Sequence, residues 1–136
     1  MNNTRFATSL HILLLLARNP HQWLSSDWLA ISININPVVV RRELSQMHER
    51  GWLSSRKGKE GGTRLAVSSR EITVKDVYLL TQNAEILGRK NLNPNPDCPI
   101  GKKVNSVLEK LNRQAETAVL DILGKRTLES LLSEFE

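Results

Sequence analysis

Residues 36–67 read NPVVVRRELSQMHERGWLSSRKGKEGGTRLAV, and the changes of pattern inside them decide the fold. Asn36 is a helix-capping residue, and Pro37 follows at the first helical position, where a missing N–H costs little and φ is already helical. Val40, Leu44 and Met47 recur at helical spacing, which predicts a helix to Arg50 that stops at Gly51. The period then changes. Trp52–Lys57 suits a strand, Gly58–Gly62 a flexible tip and Thr63–Val67 a returning strand, with three glycines in five residues to supply the positive φ of a hairpin turn.

Upstream, Ser25-Ser26-Asp27 offers a cap for a short helix holding Trp28, Leu29 and Ile31. About four residues, Ser32 to Ile35, separate it from the Asn36 helix, so the pair reads as a helix-turn-helix. A hairpin directly after a helix-turn-helix is the wing of a winged helix. Residues 3–18, with Asn3 or Thr4 as cap, are apolar on nearly every side and read as a buried helix, one that two subunits could share. Asn19-Pro20 ends it. The apolar run Leu10–Ala17 is too short for a membrane span, which needs about 20 residues.

Downstream, Thr73 caps a helix to about Thr81 with Val74, Val77 and Leu80 facing inward. Residues 91–99 contain three prolines and form a loop. From Lys102 to Leu123 a long helix carries Val104, Val107, Leu108, Leu111, Ala115, Ala118, Val119 and Ile122 at spacings of three and four. That stripe is longer than a small domain can cover and would leave an apolar patch on a monomer, which points to a homodimer. A last short helix, capped by Thr127, holds Leu128, Leu131, Leu132 and Phe135. The expected fold is mainly α with a small β-hairpin wing. It divides into a winged helix-turn-helix over 1–82, a loop over 83–101, and a dimerisation helix with a C-terminal helix over 102–136.

Charge narrows the function. The net charge of the 136 residues is +5, and residues 37–70 carry eight basic side chains against three acidic ones, while the flanks are near neutral. A basic block beside near-neutral flanks reads as a polyanion-binding surface; a solvated face is the alternative that charge alone leaves open. Residues Asn36, Pro37, Val38, Val39, Arg41 and Arg42 occupy the helix end that enters a major groove, where Arg41 can pair with guanine and Val38 or Val39 can touch a thymine methyl. Arg56, Lys57, Lys59 and Arg64 are expected to cluster at the tip of the wing, where it meets the flanking groove.

Catalytic and metal-binding patterns are poor. His11, His21 and His48 lack His-x-x-x-His spacing, His11 reading as a core or interface residue, and the glycine tip lacks the Lys-Ser/Thr ending of a phosphate loop. The single cysteine, Cys98, excludes an intrachain disulfide and any cysteine-rich metal site. It is a candidate redox sensor because a helix N-terminus follows closely, or else a small packed hydrophobe.

Residues 49–66 resemble the wing signature of the Rrf-two (Rrf2) family of winged-helix transcriptional regulators, and Glu71-Ile72-Thr73-Val74-Lys75-Asp76-Val77 is similar to that family's following helix. The family includes an iron–sulfur cluster regulator and a cysteine-metabolism repressor. The resemblance spans about Arg5 to Leu132. It implies a homodimer crossed by the long helices, with DNA bound by the helix from Asn36 and by the wing. The family's minor-groove arginine falls on Lys57, a poorer reader of a narrow groove, and its tyrosine after the glycines is Thr63. Cluster-binding members carry three cysteines before the long helix; with Cys98 alone, the chain resembles a cluster-free branch.

The expected function is sequence-specific DNA binding by a cytoplasmic, homodimeric transcriptional repressor acting on double-stranded palindromic DNA, with a small-molecule or protein effector. No cofactor, metal, membrane or catalytic role is expected. The rival readings are a winged-helix protein–protein module without DNA binding, and a thiol-based redox sensor or enzyme using Cys98.

Overall fold

In the computed structural model, which describes residues 3–136, the chain runs through α1 (Arg5–Arg18), α2 (Ser26–Ile33), α3 (Pro37–Glu49), β1 (Leu53–Arg56), β2 (Gly62–Leu65), α4 (Val74–Thr81), α5 (Val104–Gly124), α6 (Leu128–Leu132) and a closing 3-10 turn, Ser133–Phe135. Two of the caps expected from sequence are formed by side chains: Ser25 accepts the Trp28 N–H and Asn36 accepts the Val38 N–H. Thr4 makes no such bond; the Asn3 side chain accepts the Arg5 N–H instead. At the start of α4, Thr73 and Asp76 satisfy each other's backbone N–H groups in a capping box.

The turn of the helix-turn-helix is shorter than the spacing predicts. Helix α2 continues to Ile33, and Asn34 ends it in the left-handed conformation at φ 65°, which asparagine tolerates better than most residues. Only Asn34–Asn36 therefore separate α2 from α3.

Strands β1 and β2 pair antiparallel, from Leu53 opposite Leu65 to Arg56 opposite Gly62. The hairpin is also tied close to its tip. Leu24, between α1 and α2, exchanges backbone hydrogen bonds of 2.9 and 2.8 Å with Thr63. That approach explains Gly62, since a Cβ there would lie 2.5 Å from the Leu24 carbonyl oxygen.

The core contains Ile12, Leu13 and Leu16 of α1, Leu29 of α2, Val40, Leu44 and Met47 of α3, Leu53 of β1, Val77 and Leu80 of α4, and Leu128 of α6. Each such side chain contributes about 1.5–3 kcal/mol relative to exposure. Helix α1 is less enclosed than its composition suggests. His11 is exposed, and an apolar groove of about 470 Å³ runs along Leu10, His11 and Leu14 to Leu132 and Phe135.

The C-terminal segment packs against the winged-helix core. Leu128 is fully buried in the winged-helix core, the Val74 N–H donates to the Arg126 carbonyl, and the Leu128 N–H donates to the Ile72 carbonyl. Residues 126–132 therefore pack with the winged helix. Helix α5 lies on α4, and its stripe splits in two. Leu108, Ala115 and Val119 are half-buried beside the buried Asn112, whereas Val104, Val107, Leu111, Ala118 and Ile122 are exposed.

The loop before α5 contains no helix, as its prolines require. Three α5 side chains on successive turns hold it. Asn112 accepts the Leu87 N–H, Glu109 pairs with Lys90, and Asn105 donates to the Asn91 carbonyl. Cys98 is half-buried there, its N–H donating to Asn95 and its carbonyl accepting from Lys102. The helix behind it begins only at Val104, without a side-chain cap, so it starts farther from the thiol than the pattern suggests.

Candidate nucleic-acid interface

Helix α3 presents two different sides. Its inner side carries Val40, Glu43, Leu44 and Met47, at spacings of three, one and three. Its outer side carries Val38, which is 59% exposed, together with the exposed Arg41 and Arg42. Val39 is half-buried, so of the two valines it is Val38 that faces solvent. The side chain of Asn36 is committed to its cap, and Pro37 is half-buried behind it.

Glu43 seats α3 on α1, and the sequence reading misses it. Its carboxylate is fully buried, and it accepts from Arg5 Nε at 3.1 Å, Arg5 Nη2 at 3.3 Å and Ser9 Oγ at 3.0 Å. Arg5 also reaches Gln46 Oε1 at 2.7 Å. A buried carboxylate is tolerable only when paired and hydrogen-bonded, so this network fixes the rotation of α3 about its own axis against α1. That rotation decides which side chains face outward. The signal is present in the sequence: position 43 belongs to the inward stripe, and an acid there demands a buried cation. Arg42 Nε lies 3.7 Å from the same carboxylate, whereas Arg41 forms no ion pair among the described residues.

The wing continues the cationic side. Arg56, Lys57 and Lys59 are exposed at the end of β1 and in the tip. Arg64 lies farther back in β2, half-buried, with its guanidinium carbon 4.1 Å from the centre of the Trp23 ring. Such a cation–π contact is worth about 0.5–1 kcal/mol at an exposed site. Arg64 therefore braces the wing from the middle of a strand and does not join the tip, where the sequence reading puts it.

Between the start of α2, the outer side of α3 and the wing lies a cleft of about 610 Å³. Arg41, Ser45 and His48 line it from α3, and Ser55 and Arg56 from β1; among the described residues no aspartate or glutamate lines it. His48 Nε2 and Ser55 Oγ are 2.6 Å apart, joining the end of α3 to the wing.

Comparison with known proteins supports the same reading. Residues 2–134 match the Rrf2 family, described as iron-dependent transcriptional regulators. The chain is 35% identical over 133 residues to YwnA of Bacillus subtilis, named as a helix-turn-helix-type transcriptional regulator, with 98% of each protein covered. A transcriptional regulator from Lactobacillus plantarum has the same fold at a TM-score of 0.79 and 25% identity, covering 97% of this chain and 89% of that one. The global cysteine regulator CymR of B. subtilis shares the fold at a TM-score of 0.71 and 21% identity, with 98% and 97% covered.

The family description raises the question of iron. Among the described residues, no three His, Cys, Asp or Glu side chains come together to hold a metal ion. Iron–sulfur clusters are held by several thiolates, and the chain has one cysteine. The residues present do not fit a cluster.

Proposed function

The chain belongs to the Rrf2 family of DNA-binding transcriptional regulators, and we propose that it binds a palindromic operator as a cytoplasmic homodimer and represses transcription. The observation that carries this reading is the orientation of α3. The Glu43 network turns Val38 and Arg41 outward on the end of the helix that enters a major groove, on the same side as the wing cations. In this reading Arg41 reads a base edge and Val38 contacts a thymine methyl, while Arg42, Arg56, Lys57 and Lys59 hold phosphates. Asn36, Pro37, Val39 and Arg64 support these contacts by capping, packing and bracing. Its relatives are regulators and not enzymes.

The exposed row Val104, Val107, Leu111, Ala118 and Ile122 supports dimerisation through α5, because two copies would cover each other's apolar side chains. No helix among the described residues is long and apolar enough to cross a membrane. A small molecule or protein acting on the dimer would be the effector. Selection from a pool of random duplex DNA, followed by mobility shift over a salt series, tests the reading. The expected outcome is an enriched palindrome bound by two subunits, with affinity falling steeply as salt rises. Equal binding to all duplexes, or to none, would overturn it.

A further inference from the structure

We propose that His48 and Ser55 form a subsite for a backbone phosphodiester, one that grips DNA more tightly when His48 is protonated. The proposal rests on DNA binding as read above and names a ligand group within that interface. The cleft that holds the pair faces the DNA side of α3 and the wing. Its charged lining residues besides His48 are Arg41 of α3 and Arg56 of β1; α2 contributes Ser25 and Ser26, and β2 contributes Gly62 and Thr63. A concave surface with two guanidinium-bearing residues, several hydroxyls and no acid favours an anion. On its own helix His48 is followed by Glu49 and Arg50, which are exposed and do not line the cleft.

The 2.6 Å contact between His48 Nε2 and Ser55 Oγ gives the subsite its chemistry. In a neutral imidazole Nε2 either donates to the hydroxyl or accepts from it, according to the tautomer. Protonated, both ring nitrogens carry hydrogen, so Nε2–H must donate to Oγ. The Ser55 hydroxyl hydrogen is then released toward another acceptor, and a phosphodiester oxygen seated in the cleft is one. One proton taken from solvent thus adds a positive charge and turns the serine into a directed donor. His48 also lies in the last turn of α3, where the helix end favours a cation. Because coupling is reciprocal, bound phosphate raises the proton affinity of His48 as much as the proton raises the affinity for phosphate.

The test measures fluorescence anisotropy at constant ionic strength from pH 8 to pH 6 on two duplexes. One is enriched by the protein from a random pool at pH 8, and the other is a scrambled duplex of equal length. Affinity should rise about threefold per subunit, roughly tenfold for a dimer, as His48 takes up its proton. Both duplexes should gain alike, since a phosphate contact carries no sequence information. His48→Gln keeps a side-chain hydrogen bond to Ser55 but takes up no proton, so its affinity, whatever its level at pH 8, should stay flat across the range. Ser55→Ala should lose part of the gain, whereas His11→Gln and His21→Gln, outside the cleft, should keep it. The NMR titration of the His48 ring gives a direct readout, with a midpoint that moves upward when DNA is added. A wild-type pH slope that survives in His48→Gln, or an unmoved midpoint, overturns the proposal. Tight operator binding with a flat pH profile overturns this proposal alone. Failure to bind any duplex at any pH overturns the DNA-binding reading beneath it.

Discussion

Helices α3 and α5 are both amphipathic, and they use their apolar sides in opposite ways. In α3 the apolar residues Val40, Leu44 and Met47 are buried and the charges Arg41 and Arg42 face outward. In α5 the row Val104, Val107, Leu111 and Ile122 faces outward, with Leu111 50% and Ile122 64% exposed. Each helix also buries one polar residue, and the two do different work. Glu43 locks α3 to α1 through Arg5 and Ser9, whereas Asn112 holds only the Leu87 N–H of a loop. A helix locked on its inner side can present a fixed chemical surface. A helix with exposed apolar residues leaves the row that the proposed second copy would cover.

The largest test of this contrast is Glu43→Ala. It leaves Arg5 and Ser9 facing a buried cavity without their acceptor, which is expected to cost about 3–5 kcal/mol of folding stability. Urea unfolding followed by circular dichroism measures it. A loss under about 1 kcal/mol would show that the network does not secure α3.

Leu111→Glu addresses the opposite helix. A charge on an outward side should hardly disturb folding of the subunit but should prevent association, giving monomers in sedimentation. Operator affinity should fall by about a hundredfold or more, because the two half-sites are no longer bound together. A wild-type protein that is itself monomeric at micromolar concentration would break the comparison.

A third substitution sharpens the outward side of α3. Arg41→Ala is expected to lose about 1–3 kcal/mol per half-site at one base position and to relax preference there. Lys57→Ala should instead weaken all duplexes alike and flatten the salt slope by about one unit for each phosphate that is no longer neutralised. Identical behaviour of the two variants in a selection assay would show that α3 does not read bases.

The smallest effect concerns the loop on α5. The hydrogen bond and charge of Lys90 hold the Glu109 carboxyl below the usual carboxylate range. A lowered folded value means that the stabilisation is present above the ordinary carboxylate pKa and is lost as pH falls through the lowered value. The pair is solvent-exposed, so the effect is local. Amide exchange at residues 86–92 should quicken in strong acid in the wild type. Lys90→Ala should show that faster exchange already at neutral pH, with the global melting temperature little changed.

The local elements were legible because their signals are local. Asn36-Pro37, Ser25, the Thr73 cap and the glycines of the tip act within a few residues of themselves, and the structure forms each of them. The inward residues of α3 followed from spacing alone, and the split between a basic block and neutral flanks from counting charges along the chain. What spacing cannot supply is the partner of a residue distant in the chain. The stripe on α5 was visible, but only packing against α4 decides that Leu108 and Val119 turn inward while Val107 and Ile122 remain exposed. Arg64 reads as one more wing cation until Trp23, forty-one positions earlier, is placed beneath it. Leu128 reads as part of a terminal appendage until the bridge between Thr73 and Thr127 carries it into the core. Glu43 is the sharpest case. Helical period placed it on the inner side, and charge argued for the outer; Arg5 and Ser9, brought up from α1, settled the conflict by satisfying a carboxylate away from water.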